Sequence, residues 1–179
     1  MRANHYVYGQ TGWQDLFVDA LTLRPGLDAP LWNATYEVYE YNIGSAARGK
    51  WHIDHRYKPG TDVHMHVHVI PLTTSTGNIV FGFEWRYARG YSVDVFSAPT
   101  TTLVVPQAGA GAIETHQIIE SAAITIPNLE TDGVIKFRVF RDASDTFVGG
   151  VGLELVDLHF QSDRNATTQR NRGAGWDPA

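Results

Sequence analysis

The chain has 179 residues, of which 43% are hydrophobic, and a formal net charge of −5 at pH 7. This charge argues against a nucleic-acid-binding protein, because such proteins need basic patches to neutralise phosphates. The absence of cysteine excludes a disulfide framework and a thiolate metal site. The first residues contain no apolar signal core and no run reaches membrane-spanning length, so we expect a soluble protein that is neither exported by a signal peptide nor membrane-bound.

The first part of the chain, residues 1–33, contains apolar anchors but little periodicity. Trp13, Leu16 and Phe17 lie in a short stretch that is compatible with a strand or one helical turn. The run Arg24-Pro25-Gly26 then interrupts regular structure. Two interpretations remain open here: an N-terminal arm or attachment segment that packs on another surface, or an ordinary first strand.

Short strands separated by turn signals account for most of the remaining chain. We predict them at Thr35–Tyr41, Lys50–Arg56, Asp62–Ile70, Asn78–Tyr87, Thr101–Val105, the second half of 113–126, Val134–Arg141 and Gly152–Gln161, with a less regular candidate at Tyr91–Phe96. No segment shows helical periodicity beyond two turns. The pattern is typical of an all-β protein, an antiparallel β-sandwich or jelly roll with extended N- and C-terminal arms.

The predicted domain organisation follows from these strands. Residues 34–163 form the β-sandwich domain, and residues 164–179 form a polar, Gly-rich C-terminal tail in which Trp176 is the natural anchor. We expect contacts with other subunits or proteins at Trp13, Leu16, Phe17, His159 and Trp176.

The most distinctive strand is Asp62–Ile70, in which three histidines alternate with apolar residues. Side chains alternate across a strand, so His64, His66 and His68 share one face and the apolar residues share the other. Imidazole suits Zn, Fe, Ni and Cu, which makes these three histidines candidate metal ligands. Residues i and i+2 are roughly 7 Å apart, so two of the histidines can share an ion more easily than three.

Three interpretations of the histidines remain open. A cupin-like enzyme requires His-x-His followed within a few residues by Glu, whereas the next acid after His68 is Glu84 on the following predicted strand. In the second interpretation, His-x-His strands from three copies surround a threefold axis and hold one metal ion. In the third, the histidines form a polar sheet face that is hydrogen-bonded or packed at a subunit interface, with no cofactor.

The last predicted strand carries Asp157 and His159 on one face. If this strand lies beside the histidine strand, the carboxylate can accept a hydrogen bond from an imidazole and fix its tautomer. Elsewhere we find no Gly-x-Ser-x-Gly motif, no cysteine nucleophile and no phosphate-binding glycine loop. The sequence therefore predicts a protein that is not an enzyme.

Several motifs, in this order, resemble a group of small virion proteins from tailed phages and prophages. They are Trp13-x-Asp15-Leu16, Tyr57-Lys58-Pro59-Gly60-Thr61-Asp62-x-His64-x-His66-x-His68, Gly77-x-x-x-Phe81-Gly82-x-Glu84-Trp85, Phe140-Arg141-Asp142 and Asp157-Leu158-His159-Phe160. The group shows a Y-K-x-G-T-D-x-x-x-H-x-H block and a closing D-x-H-Y strand. This chain departs from the group at Met65, where a proline is expected, and at Ile70-Pro71, where an aromatic residue is common.

The resemblance implies a virion protein of the capsid decoration, cement, head-fibre or tail-fibre type. It implies a homo-oligomer, most often a trimer, that contacts the major capsid protein or other virion proteins. It supplies no catalytic residues. Two alternatives remain: a tail-fibre or spike component that binds a host surface glycan, and a cupin-like metal-dependent enzyme.

Overall fold

The structure is a computed structural model that describes residues 12–162. These residues form thirteen strands and one short 3-10 helix. The strands are β1 Trp13–Asp19, β2 Arg24–Pro25, β3 Leu31–Asn33, β4 Val38–Tyr41, β5 Ala46–His52, β6 Val63–Pro71, β7 Asn78–Ile79, β8 Phe81–Ala88, β9 Thr100–Leu103, β10 Gln107–Ala108, β11 Gln117–Glu120, β12 Val134–Arg141 and β13 Val151–Gln161. The 3-10 helix is Ala20–Thr22, and the Asp19 carboxylate caps it by accepting a 2.8 Å hydrogen bond from the Leu21 amide. Within this part of the chain, no helix has the length and apolarity needed to cross a bilayer.

Two antiparallel sheets form the body of the molecule. In the first sheet the order is β11-β6-β13-β4-β3, and β1 pairs with the C-terminal part of β13 beside the β4 pairing. In the second sheet the order is β2-β5-β12-β8-β9. Strands β7 and β10 pair with each other in a separate, two-stranded antiparallel sheet. The predicted antiparallel β-sandwich or jelly roll is therefore confirmed.

The core lies between the inner faces of the two sheets. Met65 on β6 is fully buried with Phe83 on β8 and other apolar side chains in a single continuous cluster. Within the second sheet, the ring of Trp51 stacks on Phe137 with 3.9 Å between centroids. This packing needs Gly49, because a Cβ at that position would overlap the Phe137 ring.

A buried ion pair closes one end of the sandwich. Arg141, at the end of β12, is 1% exposed and donates five hydrogen bonds. Two go to the carboxylate of Asp145, at 2.8 and 2.9 Å, and three go to the carbonyl oxygens of Tyr41, Phe147 and Gly149. The guanidinium has five N–H donors, so its hydrogen-bonding capacity is fully used. This pair joins the loop after β12 to β4 of the first sheet.

The structure places some predicted elements differently. Residues 91–96 are not a strand, because the amides of Val93 and Asp94 donate hydrogen bonds back to the carbonyls of Gly90 and Arg89 and form a turn. The strand predicted at 50–56 begins earlier, at Ala46, whose amide donates a 2.7 Å hydrogen bond to the carbonyl of Asp28.

Part of the segment predicted as an arm is built into the sheets. Within residues 13–33, β1 pairs with β13, β2 pairs with β5 and β3 pairs with β4. For residues 13–19 this corresponds to the second interpretation, an ordinary first strand. Residues 1–11 and 163–179, and with them the predicted tail and Trp176, lie outside the described residues.

The outer face of the second sheet gathers cations that are dispersed in the sequence. Lys136 on β12 lies directly between Lys50 on β5 and Arg86 on β8 in a cross-strand row. Beside this row, Arg138 pairs in register with Arg48 and forms a 2.6 Å ion pair with Asp28. This outer face is therefore the basic side of the sandwich.

Candidate functional site

The histidines of β6 lie on the outer face of the first sheet. His64, His66 and His68 alternate along the strand with Met65 and Val67, whose side chains are completely buried in the core. This is the two-residue periodicity expected of a strand with one face in the core. The opposite, outer face is therefore the place where the imidazoles can interact.

Neighbouring strands bring further polar side chains to the same face. On β13, Asp157 is directly opposite His66, and His159 is directly opposite His64. On β1, Asp15 is directly opposite His159. Residues in direct register on adjacent strands place their side chains on the same face, so β6, β13 and β1 together build one cluster of histidines and carboxylates.

The interatomic distances within this cluster are short. His66 Nε2 lies 3.5 Å from both Asp15 Oδ1 and Asp157 Oδ2. His68 Nε2 lies 2.9 Å from Asp157 Oδ2, and His159 Nδ1 lies 3.8 Å from Asp15 Oδ1. We call these five residues, Asp15, His66, His68, Asp157 and His159, the histidine–aspartate cluster.

Other side chains surround the histidine–aspartate cluster. Glu120 on β11 places Oε1 3.6 Å from His64 Nδ1, and the Trp13 ring packs edge-on to His64 with 5.4 Å between centroids. His116 Nε2 lies 2.8 Å from His68 Nδ1, so one of these two rings donates a hydrogen bond and the other accepts it. The cluster is thus enclosed on several sides, although it lies outside the apolar core.

The centre of the cluster is deeply buried, and several of its polar atoms have no hydrogen bond. His66 is 5% exposed and Asp157 is 4% exposed. Both ring nitrogens of His66, Nε2 of His68 and Oδ1 of Asp157 lack a hydrogen-bond partner. The 2.9 Å approach of His68 Nε2 to Asp157 Oδ2 brings the atoms close without hydrogen-bond geometry. Buried polar atoms are nearly always satisfied in folded proteins, so this concentration of unsatisfied atoms indicates a binding site.

Burial also controls protonation in the cluster. Desolvation lowers the pKa of His66, against the opposing effect of the Asp157 and Asp15 charges. Desolvation, followed by the neighbouring His116, lowers the pKa of His68. For Asp157, desolvation raises the pKa to about 6, against the opposing effect of His66. Burial therefore favours neutral imidazoles, which keep a free nitrogen lone pair for a ligand.

Two sets of three residues in the cluster have donor atoms close enough to share a metal ion. One set is His66, His68 and Asp157, and the other is Asp15, His66 and His159. His66 belongs to both sets, whereas His64 belongs to neither. His64 Nδ1 lies instead 3.2 Å from the carbonyl oxygen of Ser121. Two histidines of the predicted trio are thus brought together with a carboxylate, and the third is held apart.

The acid required by the cupin-like pattern is far from this face. Glu84 lies on β8 in the second sheet, directly opposite Arg138 on that sheet's outer face. The two outer faces lie on opposite sides of the core, so Glu84 is not part of the histidine–aspartate cluster.

The predicted interface residues within the described chain lie on or near β1. Trp13 and Phe17 point outward from the first sheet and are 48% and 70% exposed. Leu16 points the other way and packs against the core. His159 belongs to the histidine–aspartate cluster. Trp13 and Phe17 therefore flank the cluster as exposed aromatic side chains.

Asp15, Glu120 and His116 contribute to this face although they were not predicted as site residues. Asp15 lies two residues from Trp13 and two residues from Phe17 along β1. Assigning this stretch as a strand would therefore have placed all three side chains on the same face. The positions of Glu120 and His116 depend on the pairing of β11 with β6, and no local pattern in the sequence specifies that pairing.

Comparisons with known proteins give little further information. No protein-family model and no curated protein matches the chain. Among solved structures, that of Eiger TNF from S. frugiperda is similar at a TM-score of 0.28 and 12% sequence identity, over 92% of this chain and 95% of that chain. A likeness of this size carries no argument about function.

Proposed function

We propose that the protein is a non-catalytic structural subunit of a tailed-phage virion, a capsid decoration, cement or head-fibre protein that assembles as a homotrimer. The virion location rests on the sequence motifs that resemble this group of proteins. The self-assembly rests on the distribution of exposed apolar side chains described next.

The observation that carries the proposal is the clustering of exposed apolar side chains in the first strands. Of fifteen large hydrophobic residues exposed in the described chain, six lie between residues 13 and 32. They are Trp13, Phe17, Leu21, Leu27, Leu31 and Trp32. Scattered exposed apolar side chains are normal, whereas neighbours on one face mark an interaction surface, and Trp13 and Phe17 share the outer face of the first sheet.

The outer face of the first sheet has the composition of a protein interface. Trp13 and Phe17 lie on β1 at one side of the histidine–aspartate cluster, and Ile118, 49% exposed, lies on β11 at the other. Interfaces combine aromatic and apolar anchors with polar groups that become buried between the partners. We assign this face to contacts with a second copy of the chain.

Binding to an assembled shell would stabilise the shell by mass action. A protein that binds only the assembled form shifts the equilibrium toward that form. No reacting group is needed for this role, and the partner on the shell would be the major capsid protein.

The assembly proposal is tested by sedimentation velocity on the wild-type chain and on Phe17→Glu. A carboxylate at position 17 places charge in the proposed interface, so we expect a wild-type trimer and a monomeric or strongly dissociating variant. The matched control is Val148→Glu, because Val148 is 75% exposed in the loop before β13, away from this face. A monomeric wild-type chain, or equal dissociation of both variants, contradicts the assignment. The virion location is tested separately by looking for the chain in purified particles by mass spectrometry.

A further inference from the structure

We propose that each chain binds one divalent transition-metal ion on the outer face of the first sheet, with His66, His68 and Asp157 as ligands and with Asp15 beside His66 at the edge of the site. The ligands come from two neighbouring strands, β6 and β13, of a single chain. The site is therefore complete without a partner subunit, and the inference does not depend on the proposed assembly.

The distances between the donor atoms fit a tetrahedral ion. Zn–N and Zn–O bonds of about 2.0–2.2 Å place the ligand atoms of a tetrahedral site about 3.3–3.6 Å apart. His66 Nε2 is 3.5 Å from Asp157 Oδ2, and the donor atoms of His66, His68 and Asp157 all lie within 4.8 Å of one another. His68 Nε2 is 2.9 Å from Asp157 Oδ2, which an ion between the two atoms would open by a few tenths of an ångström.

A cation accounts for atoms that the protein leaves unsatisfied. His66 Nε2 and His68 Nε2 are buried and have no hydrogen-bond donor or acceptor beside them in suitable geometry. An ion bound to both nitrogens and to Asp157 would satisfy them together. His66 is 5% exposed and Asp157 is 4% exposed, so solvent water has less access to hydrogen-bond these groups than it has to surface side chains.

The donor set also matches the chemistry and charge of such an ion. Imidazole and carboxylate ligands suit Zn, Ni, Fe and Cu in the divalent state, whereas sites for softer ions use thiolates. The Asp157 carboxylate, with the Asp15 carboxylate also 3.5 Å from His66 Nε2, supplies negative charge that offsets the charge of such an ion. The surrounding strands are antiparallel neighbours in one sheet, and ligands on such rigid elements are held close to their binding geometry.

The chain contains a natural control for surface histidines. His52 Nε2 and His55 Nε2 lie 3.3 and 3.1 Å from the Asp132 carboxylate, but their side chains are 60% and 40% exposed. This group has the same two residue types at similar distances in a solvated position. Metal binding to histidine and aspartate in general would involve it, whereas binding to the proposed site would not.

The inference is tested by titrating the chelator-treated, full-length protein with Zn²⁺ in a calorimeter. We expect one saturable ion per chain. Asp157→Asn and His68→Gln should each weaken binding by about tenfold or more, since even residues behind the ligands alter affinity about 10–100-fold. The double variant His52→Gln/His55→Gln should bind like the wild type. Absence of saturable binding, or loss of binding only in the His52/His55 variant, would overturn the proposal.

Two further measurements keep the result interpretable. Circular dichroism shows whether each variant is folded, and His68, the less buried ligand, provides the variant of choice if Asp157→Asn unfolds. Co²⁺ bound to the wild-type chain should show the intense visible bands of a four-coordinate site, and a spectrum like that of the aqueous ion contradicts the assignment. Phe17→Ser removes the apolar anchor without adding a charge opposite Asp157, so it should weaken assembly yet bind Zn²⁺ as tightly as the wild type, and failure of the assembly proposal and failure of the metal proposal give different results.

Discussion

The buried ion pair of Arg141 makes the sharpest prediction about stability. Arg141→Met removes a guanidinium that is 1% exposed and leaves the Asp145 carboxylate, with 0% exposure of its side chain, without its cation. Asp145 keeps the hydrogen bonds that it accepts from the amides of Val80 and Phe147, at 2.9 and 2.8 Å. Breaking a buried pair in this way costs about 3–5 kcal/mol. In a protein of this size the cost corresponds to a fall in Tm of about 6–20 °C.

The control for this substitution lies on the same strand. Arg138→Met removes a guanidinium that is 26% exposed and paired with Asp28, and a surface pair contributes only about 0–1 kcal/mol. The free energy of unfolding of each variant is measured by urea titration. The double variant Arg141→Met/Asp145→Leu should recover part of the loss, because it leaves no unpaired buried charge. If Arg141→Met and Arg138→Met differ by less than about 1 kcal/mol, the reasoning about the buried pair is refuted.

Two further stability predictions are tested by thermal denaturation. A Cβ at Gly77 would overlap the carbonyl oxygen of Thr146, so Gly77→Ala should destabilise the protein by about 1–3 kcal/mol. Gly12→Ala is the control and should be neutral, because no atom lies within 4 Å of the new Cβ. Equal Tm values for the two variants would contradict this prediction. Lys50 begins the cross-strand row of cations on the second sheet, so Lys50→Glu should stabilise the protein by about 0.2–1 kcal/mol, with the gain shrinking as salt is added. Lys58→Glu makes the same change of charge in the turn before β6, outside that row, and a comparable gain there would show that the row is not the cause.

The strands with strict alternation between two clear turn signals were the most predictable from the sequence. The predicted strand Val134–Arg141 coincides with β12, and the histidine strand predicted at Asp62–Ile70 is shifted by one residue in β6. In both strands one face is buried, so the alternation of apolar residues reports directly on the side that packs in the core. The predicted assignment of side chains to the two faces of each strand is therefore also confirmed.

Features that depend on strand pairing could not be predicted. Asp15 and His66 are far apart in sequence, and they meet only because β1 and β6 both pair with β13. The same is true of the cations on the second sheet, where pairing brings Lys50, Lys136 and Arg86 into one row. Dispersed charges in a sequence therefore do not imply dispersed charges on the surface of a sandwich.

The central claim, a structural subunit that assembles with itself, is tested most directly by native mass spectrometry of the purified chain before and after a chelator. We predict a species of three chain masses, and in the untreated sample an additional mass of one metal ion per chain. A species of one chain mass throughout the micromolar range would contradict the assembly claim, whatever metal it carried.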